Sequence, residues 1–93
     1  MNKPPPSIDG ARVLYWAWSG DEPFGWVGTQ TDPYASPIYG LAIARYGLES
    51  GIYRFSCDDS WETEQDNIYD SVEDAMRHLP KQYRQVVAKW QKY

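Results

Sequence analysis

Histidine and cysteine occur once each, as His78 and Cys57, in a chain of 93 residues. A single cysteine excludes an intramolecular disulfide, and a small domain without disulfides fits a reducing compartment. Cys57 and His78 are the one thiol–imidazole pair available for nucleophilic catalysis, which needs an activated thiol in an accessible cleft. Their settings predict packing instead. Cys57 falls at a strand end on the expected inner face, and His78 lies beside an apolar helical stripe. The chain has no glycine-rich phosphate loop, Walker-type lysine, GxSxG elbow or zinc-type Cys/His pattern. Its acids lack the spacing and glycine of an EF-hand loop. No apolar run approaches the ~18–20 residues of a membrane span, and the opening MNKPPPSIDG lacks the apolar core of a signal peptide. These absences argue against most enzyme classes. They predict a cytoplasmic protein with no catalytic residues, no metal ligands and no cofactor.

Aromatic side chains are abundant, at 16% of residues with five Trp and eight Tyr. They bury large areas with few rotatable bonds, so a small core built on few positions favours them. The apolar share of 42% and charged share of 24% describe one folded domain and not a disordered chain. Net charge is −4, which opposes direct nucleic-acid binding. The charge is also segregated. Cys57–Asp74 holds eight acids and no Lys or Arg, whereas Ala75–Tyr93 holds five bases and no acid. Such a division compensates a helix dipole, or forms an electrostatic docking surface.

Taken in order, residues 1–10 read as a flexible Pro-rich arm ending in an Asp9-Gly10 turn, and residues 11–93 as a single α+β domain. Strands are expected at Ala11–Trp18, Trp26–Gln30, Ile38–Tyr46, Ile52–Cys57 and Trp61–Asp66, with Pro/Gly-rich loops between the first three. Ala11–Trp18 is apolar on both faces, so hydropathy does not assign its inner side. Ser71 is the expected N-cap of a helix, with Glu73 and Asp74 at its positive end. The apolar positions Val72, Ala75, Met76, Leu79, Tyr83, Val86, Val87 and Trp90 follow at helical spacing, interrupted by Pro80. The fold class is therefore α+β: a mainly antiparallel meander of three to five strands, with two short C-terminal helices or one kinked helix packed on its aromatic face.

Register decides which residues share a face. Pairing Ile43 with Tyr53 and Leu41 with Phe55 gives a continuous apolar face and is the expected register. A one-residue slip sets Ile43 and Leu41 beside Arg54 and Ser56. A three-residue turn at Asp58-Asp59-Ser60 would pair Cys57 with Trp61 and Arg54 with Glu64, though a longer turn suits the missing glycine. Glu62, Glu64 and Asp66 then share one outer face, with Arg54 as their neutraliser. Asp58, Asp59, Trp61, Glu62, Glu64 and Asp66 are the expected partner-binding residues, the acids for a basic protein and Trp61 as an aromatic anchor.

The segments FSCDDSWE and YDSVEDA resemble small, mostly uncharacterised bacterial proteins in which a strand ends in FSCD-x-x-W-E and a D-S-x-x-x-A helix start follows. The matching residues are Phe55, Ser56, Cys57, Asp58, Trp61, Glu62, Asp70, Ser71 and Ala75, in the middle third of the chain. The sequence is also similar in style to immunity-type proteins that neutralise bacterial toxins. The resemblance implies a bacterial, non-enzymatic protein and carries no functional residues over. The expected function is a protein-binding module whose acidic hairpin occludes a basic partner. Two alternatives stand beside it: a small-ligand or enzymatic site between sheet and helices, and a homo-oligomerising structural domain.

Overall fold

The structure, a computed structural model, describes residues 2–93. Its elements are β1 (Ser7–Ile8), β2 (Ala11–Trp18), β3 (Gly25–Val27), β4 (Ser36–Ile38), β5 (Gly40–Arg45), β6 (Ile52–Cys57), β7 (Thr63–Tyr69), α1 (Val72–Arg77) and β8 (Gln91–Lys92). The main antiparallel sheet has the order β1-β2-β5-β6-β7, with β8 pairing β2 as well, and β3 and β4 form a separate ribbon. The α+β class and the antiparallel sheet match the expectation from sequence, but among the described residues there are more strands than the three to five expected and a single short helix. Among the described residues no helix is long and apolar enough to cross a membrane.

The sheet begins before residue 11. Asp9 and Gly10 both have positive φ, so they make the tight turn of a two-residue hairpin that pairs Ile8 with Ala11. Ile8 is buried, and the Val13 amide donates to the Pro6 carbonyl. The other end of the chain joins the same strand: β8 pairs Tyr15 with Lys92 and Trp16 with Gln91.

β2 pairs β5 with a bulge between Val13 and Tyr15. An extra residue in one strand reverses the facing of everything beyond it. Val13 therefore shares a face with Ala44, and Trp16, rather than Tyr15, returns to that face opposite Ala42. Both sides of ARVLYWAW are apolar because both are packed: Val13 and Trp16 on one face, Leu14, Tyr15 and Ala17 on the other.

The β5–β6 register is the slipped one: Ile43 faces Arg54 and Leu41 faces Ser56, while Ala42 faces Phe55 and Ala44 faces Tyr53. The expectation failed because it assumed one dry face, whereas Gly40 to Ala44 are all buried. One face collects Val13, Ala42, Ala44, Phe55 and Cys57 under Trp16, Tyr46, Tyr53 and Trp61. It is closed by its own rings, with Tyr46 and Tyr53 edge to face at 5.2 Å, and the small Ala42 and Ala44 leave room for them. The second face carries Leu41 and Ile43. Helix α1 covers it through Ala75, Val72 and Met76, and Tyr83, Leu79, Val86 and Trp90 complete the cover. The C-terminal region thus packs opposite to the aromatic face it was expected to cover.

Ser71 caps α1 as anticipated: its Oγ accepts from the Asp74 amide at 3.0 Å. The helix then stops, because Pro80 disfavours helical geometry at Leu79 and has no amide to donate. Among the described residues no second helix forms. The stripe from Leu79 to Trp90 is used by an irregular strap whose Gln85 amide donates to the Phe24 carbonyl. Gly25 lets that strap approach, since a Cβ there would collide with the Gln82 carbonyl and the Tyr83 ring. Val87, one of the predicted stripe residues, points outward at 80% exposure.

Candidate functional site

The β6–β7 connection is a five-residue loop, Asp58 to Glu62, because Cys57 pairs with Thr63. Its shape is set by Asp58, whose Oδ1 accepts from the amides of Ser60 at 2.8 Å and Glu62 at 2.9 Å. The Asp58 amide in turn donates to the Glu62 carbonyl. Asp58 is therefore a half-buried loop organiser and only partly available to a partner.

Trp61 takes a left-handed backbone, φ 61°, which costs a non-glycine residue on the order of 1–2 kcal/mol. That conformation turns its ring back over the sheet. The ring meets Trp18 at 5.7 Å and Trp16 edge-on at 6.4 Å, and its Nε1 donates to the Asn2 carbonyl at 3.2 Å. A Cβ on Gly40 would lie 2.5 Å from the ring, so glycine is what allows it to seat there. Trp61 ties the loop to the body and is not a free aromatic anchor.

Asp59, Glu62, Glu64 and Asp66 are exposed. They do not form the single face expected from sequence. A bulge between Ser56 and Cys57 leaves Glu64 without a cross-strand partner, and Asp66 lies opposite Phe55. Arg54 faces Asn67, so the expected Arg54–Glu64 pair is not made. Arg54 is instead 1% exposed, on the α1 side of the sheet. Its guanidinium donates to Tyr69 Oη at 2.6 Å, Asn67 Oδ1 at 3.0 Å and the His78 carbonyl at 3.0 Å. Without Arg54, the acids of β7 have no basic residue across the strand pair.

Strand β7 is also the end of the sheet, with β6 as its one partner among the described residues. On its outer side no other strand among the described residues pairs with it. Beyond the acids it carries Ile68, 60% exposed, which contacts Gly51 in a hollow of about 330 Å³ lined also by Glu49, Ser50 and Tyr53. Leu48, 95% exposed, is in the turn leading into that hollow. Burial, and next the Asp9 carboxylate, push the Tyr46 phenol up; Tyr53 and Asp66 add to the shift, so acids of β7 and of the β1–β2 turn act on the same ring.

Sequence reasoning did not locate a second feature, an open groove of about 370 Å³ lined by Asn2, Lys3, Trp16, Trp18, Lys89 and Gln91. It forms where the two chain ends meet on β2, a juxtaposition that no local pattern signals. Cys57 and His78 are separated by the sheet. Cys57 packs with Phe55 on the aromatic face, and His78 ends α1 on the other, stacked on Tyr69 at 6.3 Å. Burial pushes the Cys57 thiol up to about 12. No family model matches the chain, and neither a curated protein nor a solved structure matches it significantly.

Proposed function

We propose that this chain is a non-enzymatic binding module that captures a basic protein partner along β7 and the Asp58–Glu62 loop, in the manner of an immunity-type inhibitor. The observation that carries the reading is an unpaired edge strand flanked by uncompensated acids. Unpaired strand edges recruit other chains, and charges on them discourage self-pairing. Glu64 and Asp66 thus repel a second copy of β7 while attracting an edge of opposite sign. Main-chain pairing would supply affinity, the acids would supply selectivity and association rate, and Ile68 with Leu48 would supply apolar contact. A nucleic-acid-cleaving toxin is a suitable target, because its substrate groove must be basic.

The test is binding to the product of the adjacent reading frame in the source genome, by titration calorimetry, for the parent chain and for Glu62→Lys/Glu64→Lys/Asp66→Lys. The parent is expected to bind with an affinity that falls as salt rises, and the charge-reversed variant, folded by circular dichroism, to lose at least tenfold. Equal affinities, or no binding by either, would overturn the reading.

The Trp16–Trp18 groove favours a second reading, a small-ligand site. It lies between the chain ends rather than between sheet and helix, and its charged lining residues, Lys3 and Lys89, are both basic. An anionic aromatic compound that quenches tryptophan emission saturably in the parent and not in Trp18→Ala would support it.

A further inference from the structure

Arg54 is fully enclosed, yet its partners Tyr69, Asn67 and the His78 carbonyl are all neutral. A buried charge is ordinarily paired with an opposite one, because desolvation costs several kcal/mol per ion. Beside it are three polar atoms without a hydrogen-bond partner: Arg54 Nε, Ser56 Oγ and Tyr83 Oη. Arg54 is 1% exposed, Ser56 0% and Tyr83 7%. Orphaned buried donors are rare in native proteins, and each one asks for an occupant.

The three belong to one locality. Arg54 and Ser56 are two apart on β6, so they point to the same side of the sheet. Ser56 faces Leu41, and Leu41 packs with Tyr83 of the strap. Burial raises the Tyr83 phenol, while hydrogen bonding to Ser56 and, through space, the Arg54 charge pull it back. Every one of the three groups can donate. Arg54 Nε can only donate, so the hydroxyls of Ser56 and Tyr83 satisfying each other would still leave the charge uncompensated.

We propose that Arg54, Ser56 and Tyr83 form an internal binding site for a small inorganic anion, chloride, beneath the strap of residues 78–90. The burial of all three side chains favours a compact ion over phosphate or a carboxylate-bearing metabolite. The site is separate from the acidic edge, because Arg54 points to the α1 side of β6 while Asp66 lies opposite Phe55 on the other face.

The experiment is thermal unfolding in sodium chloride against sodium gluconate at matched ionic strength, with sodium bromide as a second halide. The melting temperature is expected to rise saturably with chloride, by about 6–11 °C at about ten times the dissociation constant, and to rise with bromide in the same way. Gluconate, too large to enter, should give no saturable rise. Ser56→Ala and Tyr83→Phe, each missing one donor, should shift the chloride midpoint upward severalfold, and Arg54→Met should abolish the response. Both conservative variants keep the local volume, so they decide the matter even when Arg54→Met does not fold. Indistinguishable melting curves in chloride and gluconate would overturn the site. So would an unchanged chloride midpoint in both Ser56→Ala and Tyr83→Phe.

Discussion

Adding one methyl group at Gly40 tests how the acidic loop is held to the sheet. A Cβ at that position would lie 2.5, 2.7 and 2.8 Å from three carbons of the Trp61 ring, against about 3.5–4.0 Å for an ordinary carbon contact. The ring must therefore withdraw by roughly 1 Å. It is not free to do so, being held by Trp16, Trp18, the Asn2 carbonyl and a left-handed backbone set by the Asp58 turn. Overpacking of this kind costs about 1–3 kcal/mol. Loss of the Nε1 hydrogen bond would add about 0.5–1.5 kcal/mol, and the lower chain entropy of alanine in the unfolded state would return about 0.4–1 kcal/mol. The expected net loss for Gly40→Ala is about 1–3 kcal/mol, or a fall in melting temperature of about 4–8 °C per kcal/mol. Urea unfolding followed by far-ultraviolet circular dichroism measures it without depending on tryptophan emission. In a Trp61→Ala background the obstruction is gone, so Gly40→Ala should be neutral or slightly stabilising. The two substitutions should then couple by on the order of 2 kcal/mol. An equal cost of Gly40→Ala in both backgrounds would refute the contact, as would no cost in the parent.

Three further outcomes follow from features of the fold. Ser71→Ala should destabilise by about 1 kcal/mol, because it leaves the Asp74 amide without its cap, and thermal unfolding will show it. The Cys57 thiol, at about 12 in the folded chain against an ordinary 9.0, stays protonated when the unfolded thiol has ionised. Its contribution to stability is therefore complete below pH 9.0 and is lost as pH rises toward about 12; Cys57→Ala should flatten that part of the stability profile, and a disulfide reagent at pH 8 should label the parent no faster than it unfolds. Replacing Glu64 and Asp66 with Val should let β7 pair with a second copy, seen as concentration-dependent mass in sedimentation velocity, while the parent sediments unchanged over the same range.

Where local chemistry and tertiary context agree, the sequence is informative. The bounds of β2 and β6, the Ser71 cap and the Asp9-Gly10 turn all follow from short-range preferences that nothing overrides. The failures have specific causes. Alternation implies a register only when one face is wet, and β5 is dry on both. The pairing of Ile43 with Arg54 looks poor until Tyr69, Asn67 and His78 are brought in from β7 and the end of α1 to satisfy the guanidinium. The Leu79–Trp90 stripe reads as helix because its apolar spacing is helical. Pro80 and the Gln85 bond to Phe24 divert the backbone, and most of the apolar residues still reach the sheet. Strands β1 and β8 are two residues each and too short for any periodicity. Of the candidate site, the exposure of Asp59, Glu62, Glu64 and Asp66 was legible, but the inward turn of Trp61 was not, since it depends on a positive φ in a loop without glycine.

The meeting of β1 and β8 on one side of β2 has a consequence for the order of assembly. The Tyr93 hydroxyl donates to the Pro4 carbonyl across 89 positions of sequence, and its amide donates to Leu14. During synthesis, β2, β5, β6 and β7 can pair as each emerges, but the edge of Tyr15 and Trp16 stays uncovered until Gln91 and Lys92 leave the ribosome. Residues 91–93 therefore act as a latch on a strand formed much earlier in the chain. Removing the pairing of residues 91–93 would leave a nearly complete sheet with an aromatic strand edge exposed, and so would produce a species prone to aggregate more than to unfold.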